Sequence, residues 1–186
     1  MAEETKKKGI GSVIDIPEKT EARVEGTLLI VKGPKGEAKK NISDPIINLK
    51  VEESKIIVGT DKSTKREKKL VYTYAAHIRN MVNGVIMGHK YVLKVCSSHF
   101  PMNVAMKNNQ LVIKNFIGEK CPRILKFKEG VNVKVDGDLI NVESVDKELA
   151  GTAASDIEKL TRRPNFDTRI FQDGIYIINK CGKDIK

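Results

Sequence analysis

Apolar and polar residues alternate in short runs along most of this chain, and two stretches abandon that rhythm for a helical one. Alternation with a period of two marks strands with one buried face, whereas a spacing of three to four marks a helix with an apolar stripe. In INLKVEESKIIVG, Ile47, Leu49 and Val51 alternate before Glu53-Ser54, which predicts a hairpin. VNVKVDGDLINVE predicts a second hairpin around Asp136-Gly137, a strong two-residue turn signal. VEGTLLIVKGPKGEAKKNI reads as two strands about Gly33-Pro34-Lys35-Gly36, with Pro and Gly at the second and fourth positions of a type I turn. The first helix is predicted to start at Thr64, which has capping-box spacing to Glu67. Leu70, Tyr74, Ile78 and Val82 form its stripe, and Gly84 ends it. The second helix starts after Asp146 with the stripe Leu149, Ala153, Ile157 and Leu160, and Pro164 stops it. Its small residues Ala150, Gly151, Ala153 and Ala154 let it lie close to a sheet.

The same order of patterns occurs twice. GTLLIVKGPKGE (26–37) falls on NNQLVIKNFIGE (108–119) at an offset of 82. NLKVEESKIIV (48–58) falls on NVKVDGDLINV (132–142) at an offset of 84, and YAAHIRNM (74–81) on AASDIEKL (153–160) at 79. The offsets drift only between elements, where insertions are tolerated. A tandem duplication is expected, residues 1–88 forming one repeat with a short basic arm at Lys6, Lys7 and Lys8. Residues 89–186 form the other, with a C-terminal extension. Strands followed by one helix, twice, predict an α+β class in which each helix packs on small antiparallel sheets.

Charge narrows the partner. The net charge is +10 over 186 residues, which points to an anionic partner. Residues 1–88 and 89–186 each carry 17 Lys+Arg against 12 Asp+Glu, so the excess is spread through the chain and is not a basic tail. Trp is absent and aromatics are 5%, which argues against a large ligand pocket or a base-stacking sheet. Cys96, Cys121 and Cys181 are odd in number and widely spaced, so neither a disulfide framework nor a zinc site is expected, and a reducing cytoplasmic setting fits. MAEETKKKGIG lacks a signal-type apolar core, and no apolar run reaches the ~18 residues of a membrane span.

No catalytic constellation is visible. His77, His89 and His99 have no partner at metal or triad spacing, and Asp136 and Asp138 flank a turn glycine. No phosphate-cradling glycine motif opens a helix. No cofactor, metal or small-molecule substrate is expected. The basic residues carry more information. Lys65, Arg66, Lys68 and Lys69 crowd the start of the first helix, where cations oppose the helix dipole; they form either an anion-binding surface or a solvated face offset by Glu67. Past the second helix, Arg162, Arg163 and Arg169 offer planar forks for phosphate, and Asn165 and Gln172 can bond sugars or base edges. Phe166, Phe171 and Tyr176 are expected to anchor this segment, with Phe171, Ile175 and Ile177 facing inward on a final strand. A purely structural extension with incidental arginines is the competing reading.

Three motifs, VKGPKGE (31–37), RNMVNGVIMG (79–88) and RPNFDTRIFQDGIYI (163–177), resemble the universal large-subunit ribosomal protein number six family in its archaeal and eukaryotic form. The resemblance spans nearly the whole chain. It implies two duplicated α+β domains and a non-enzymatic, cytoplasmic RNA-binding protein. The implied partners are large-subunit ribosomal RNA, neighbouring ribosomal proteins and translation factors nearby. In the family, the C-terminal domain makes the main RNA contact, close to the sarcin–ricin loop and the translation-factor site. Bacterial members carry a shorter Tyr-Lys-Gly-Lys-Gly pattern where this chain has NFDTRIFQDG, so contacts in this segment rest on side-chain chemistry. The alternative is a non-ribosomal RNA-binding or protein-interaction module that uses exposed sheet edges.

Overall fold

A computed structural model of the chain describes residues 9–52, 54–167 and 169–185. The basic arm Lys6–Lys8 and the turn residue Glu53 lie outside the described residues. The chain divides into two compact units, Met1–Met87 and Gly88–Lys186.

The first unit contains β1 (Ile10–Asp15), β2 (Glu21–Glu25), β3 (Leu28–Gly33), β4 (Gly36–Asn41), β5 (Asn48–Glu52), β6 (Lys55–Thr60) and α1 (Lys65–Met87). They form two three-stranded antiparallel sheets, ordered β1-β6-β5 and β2-β3-β4, with α1 packed on both. The second unit contains β7 (His89–Cys96), β8 (Asn103–Lys107), β9 (Gln110–Lys114), β10 (Arg123–Lys126), β11 (Val131–Asp136), β12 (Leu139–Ser144), α2 (Lys147–Leu160), β13 (Gly174–Lys180) and β14 (Lys183–Asp184). Its sheets run β10-β9-β8 and β11-β12-β7-β13-β14.

The two units share one topology. β7, β12 and β11 repeat β1, β6 and β5, while β8, β9 and β10 repeat β2, β3 and β4. The sequence offsets also match buried positions: Leu29 with Leu111, Val31 with Ile113, Ile56 with Ile140, Val58 with Val142 and Ile78 with Ile157 are all fully buried. Burying each such side chain contributes ~1.5–3 kcal/mol, so each unit has its own core. An α+β fold in duplicate is therefore observed, and among the described residues β13–β14 has no counterpart in the first unit.

Two details of the helices differ from expectation. The buried stripe of α1 is Val71, Ala75, Ile78, Val82 and Val85, while Leu70 and Tyr74 lie half-buried beside it. A strict four-residue repeat advances about 40° per step around a 3.6-residue turn, so alternating steps of four and three keep one face inward. The helix also runs past Gly84, which is buried within it, and stops at Met87; Gly88, at φ 75°, is the left-handed residue that terminates it. In α2, Asp146 caps the start by accepting the Glu148 N–H at 2.8 Å, as expected. Ala150, Ala153, Ala154 and Ile157 form its buried face, with Leu149 and Leu160 at the margins. No helix among the described residues is long and apolar enough to cross a membrane.

Candidate nucleic-acid interface

The α2 helix ends at Leu160, and Pro164 keeps it from continuing. Residues 161–173 then loop back to β13, whose strand pairs antiparallel with β7 from Gly174 opposite Cys96 to Lys180 opposite Tyr91. Both ends of the loop are fixed. At the start, the buried Thr161 hydroxyl accepts the Ile175 N–H at 3.0 Å and donates to the Glu158 carbonyl at 3.1 Å. At the end, the buried Asp173 carboxylate accepts the backbone N–H of Ser98 at 2.5 Å and of His99 at 3.0 Å, and meets the His99 ring Nδ1 at 2.5 Å. Burial pushes the Asp173 carboxyl up, but the His99 and Ser98 donors together outweigh it and hold it below its ordinary value.

Sequence reasoning missed this clamp, because Asp173 stands 75 and 74 positions along the chain from Ser98 and His99. Together they make a Ser/His/Asp set, but not a catalytic one. The Ser98 hydroxyl and the Asp173 carboxylate both meet the same ring nitrogen, at 3.1 and 2.5 Å. In a hydrolytic triad the carboxylate holds one ring nitrogen so that the other takes the nucleophile's proton.

Within the clamped loop the aromatics stack. The Phe171 ring lies 5.0 Å from that of His99, and Phe166 stands edge-on to Phe171 at 4.9 Å. The Arg163 guanidinium sits over Phe166 at 4.3 Å, a cation–π contact. Ile175 is fully buried and Ile177 joins the core, as the alternation predicts. Phe171 is only half-buried, and Tyr176 is 40% exposed, so Tyr176 does not anchor the loop. Its side chain falls on the outer face of β13 because Ile175 and Ile177 take the inner one.

The predicted contact residues separate into distinct settings. Arg162, Asn165 and Gln172 are exposed, and the Arg162 side chain has no partner among the described residues. Arg169 is engaged by Asp167, with Nε at 3.1 Å and Nη2 at 2.9 Å from the two carboxylate oxygens. The hydrogen bonds from Arg169 hold Asp167 below the usual carboxylate range. Asn165 takes a left-handed backbone at φ 66°, which asparagine tolerates, and so turns the chain after Pro164. Lys65, Arg66, Lys68 and Lys69 are exposed at the start of α1, in the other unit, and none pairs with a carboxylate among the described residues. Lys68 leans toward the Tyr72 ring at 6.0 Å.

A cleft of about 640 Å³ lies between the end of α2 and the loop. Phe166, Phe171 and Tyr176 line it together with Ile117, Ile175 and Arg163. The low aromatic content predicted no large pocket, yet three of the nine aromatic residues gather here. Composition counts residues, whereas loop closure concentrates them.

The Ribosomal protein L6 family model matches residues 16–88 and then again residues 100–174. The chain belongs to the ribosomal protein L6 family. The double match covers both units of the duplicated L6 fold. Three archaeal proteins named "Large ribosomal subunit protein uL6" are similar over almost their full length. That of Nanoarchaeum equitans is 45% identical, over 92% of this chain and 94% of its own. That of Methanococcus vannielii is 42% identical over 91% and 93%, and that of Methanothrix thermoacetophila 41% over 90% and 95%. The second L6 match ends at Gly174, so the arginine-bearing loop falls within the family region.

Proposed function

We infer that this chain is a structural constituent of the large ribosomal subunit, working on cytoplasmic ribosomes. In this reading it holds ribosomal RNA near the sarcin–ricin loop and the translation-factor site, next to other ribosomal proteins. The carrying observation is the loop 161–173, fixed at both ends by buried hydrogen bonds while Arg162, Asn165, Arg169 and Gln172 face outward. A rigid platform of forked donors suits RNA, because A-form helices offer phosphates and 2′-hydroxyls and hide their base edges. Preorganisation also lowers the entropy lost when these side chains meet the RNA. Arg162 reaches phosphate without losing a carboxylate partner among the described residues, whereas Arg169 exchanges Asp167 for it. The basic start of α1 supplies a second, weaker surface.

The test is the variant with Arg162, Arg163 and Arg169 all changed to alanine, titrated with large-subunit RNA and checked by circular dichroism. With charge-assisted bonds contributing ~1.5–3 kcal/mol each, affinity should fall at least 10-fold and far more than after deletion of Lys6, Lys7 and Lys8. Unchanged affinity in a folded variant would reduce the segment to a structural tail. Co-sedimentation with large subunits through a salt wash separates this function from a protein-interaction module.

A further inference from the structure

The cleft beside α2 has features that phosphate binding does not use. Its wall includes aromatic and aliphatic side chains, among them Ile117, Phe166, Phe171, Ile175 and Tyr176, alongside the loop's arginines and Lys159. Its size is that of a small-ligand site, and a few polar groups converge on it. Two carboxylates line it. Asp173 is occupied by the Ser98 and His99 donors. Among the described residues the Glu158 carboxylate receives the Ile177 N–H alone, on Oε1 at a long 3.5 Å, which leaves its Oε2 open to a ligand. Ser155, one turn earlier on the same helix, adds a hydroxyl.

Backbone strain marks the same place. Ile117 lies at φ 47° and ψ 40°, a left-handed conformation that is unusual for a β-branched residue. Such outliers gather where a site needs a side chain held against local preference. By the sequence offset, Ile117 repeats Lys35, which in the first unit seals the end of α1: its N–H donates to the Val85 carbonyl at 2.9 Å and its ammonium to the Met87 carbonyl. In the second unit the corresponding turn gives its residue to the cleft wall, and the end of α2 is met by Arg123 instead.

We propose that this cleft takes one extruded RNA base, with guanine the best fit. The inference rests on the RNA-binding reading and deepens it. Bases flipped out of a structured RNA are recognised by stacking on aromatic rings or arginine planes, together with bonds to their Watson–Crick edge. Tyr176, 40% exposed, offers a stacking face, while one face of Phe166 already carries Arg163. Arg162 and Arg163 stand beside the cleft for the flanking phosphates. The Glu158 carboxylate accepts only, so it selects a base edge with adjacent donors; guanine presents N1–H and the N2 amino group together. Uracil has a single imino donor there, and inosine lacks the amino group.

The test titrates the full chain with large-subunit RNA, comparing wild type, Glu158→Gln and Ser155→Phe, the last of which fills the cleft. Circular dichroism confirms that each is folded. Affinity should drop roughly 10-fold in each variant, as expected for losing one stacked and bonded base, while the slope of log affinity against log salt stays at the wild-type value. In parallel, 5′-GMP added to the wild-type protein should shift the methyl resonances of Ile117 and Ile175, with smaller shifts from inosine and uridine monophosphates. Wild-type affinity in both variants, or equal shifts from all three nucleotides, would overturn the guanine cleft and leave the phosphate platform standing. A wild-type protein with no salt-dependent RNA binding would remove the platform reading, and the cleft inference with it.

Discussion

The two units are built from one plan and finished differently at the same edge. In the first, β1 is an edge strand among the described residues, paired with β6, and Val13 on it is 54% exposed. In the second, the corresponding strand β7 is central, because β13 pairs along its other side and β14 extends the sheet further. The duplicated plan therefore supplies stability in both units, while the added strand does two things in the second. It covers a sheet edge, which otherwise exposes unpaired backbone groups. It also obliges the chain to return from the end of α2, and that return is the arginine-bearing loop. The candidate interface is thus a by-product of closing a sheet edge.

The helix ends draw the same contrast. In the first unit, Lys35 of the β3–β4 turn caps α1 with its backbone N–H and ammonium, and Gly33 approaches so closely that a Cβ there would sit 2.9 Å from Val85. In the second, Arg123 on β10 takes over, donating to the Leu160 carbonyl while Glu119 grips it with both oxygens, at 2.6 and 2.8 Å. A cation at a helix C-terminus satisfies open carbonyls and complements the dipole. The same physics is met from two different positions in the repeat.

Four substitutions test how far the two units differ. The largest effect should come from Ile175→Ala, which cuts a fully buried side chain from β13, the strand without a counterpart among the described residues of the first unit. It should destabilise that unit by ~2–5 kcal/mol, seen as loss of hydrogen-exchange protection in β7 and β13 with β1 and β6 unaffected. Equal loss in both units would contradict their separate cores.

Asp173→Asn comes next. It keeps the shape of the clamp but removes the charge that the Ser98 and His99 donors support, at a cost of ~1–3 kcal/mol. The sign of its pH dependence follows from the direction of the shift. Asp173 is held below its ordinary value when folded, so its contribution is fully present above the unfolded-state pKa of about 4 and is lost as pH falls through the lower folded value. Thermal melts should therefore show the wild type losing stability faster than the Asn variant as pH falls below about 4. Parallel acid curves would mean that Asp173 does not hold the loop through its charge.

Replacing Lys65, Arg66, Lys68 and Lys69 together by alanine tests whether the first unit binds RNA as the second does. A modest fall in affinity is expected, with the salt slope reduced by less than the arginine variant reduces it; each lost phosphate contact accounts for roughly 0.7 to 0.9. A larger reduction than the arginine variant gives would move the principal surface to α1. The smallest effect belongs to Lys35→Ala, whose side chain is exposed and whose backbone cap survives. A loss of about 0.3–1 kcal/mol, confined to the last turn of α1, should appear in amide exchange. No change at all would assign the capping to the backbone N–H alone.

The duplication, the hairpins and both helices were legible in the amino-acid sequence, because these depend on local periodicity and turn chemistry. Gly33-Pro34-Lys35-Gly36 and Asp136-Gly137 each close a tight hairpin where expected, with Gly33 opposite Gly36 and Asp136 opposite Leu139. The sequence also singled out the arginine-rich segment, since forked donors after a helix stop are visible in one dimension. What tertiary structure alone decided are the contacts between residues distant in the chain. Asp173 meets Ser98 and His99 only because β13 lies antiparallel to β7, with Gly174 opposite Cys96. The cleft exists only because Ile117, α2 and the loop converge. Which arginine is free and which is held also depended on folding: Asp167 neutralises Arg169, and Phe166 carries Arg163, while Arg162 has no partner among the described residues. Periodicity reports which face of an element is buried; what that face meets depends on strand order and loop path, for which the pattern of single residues carries no signal.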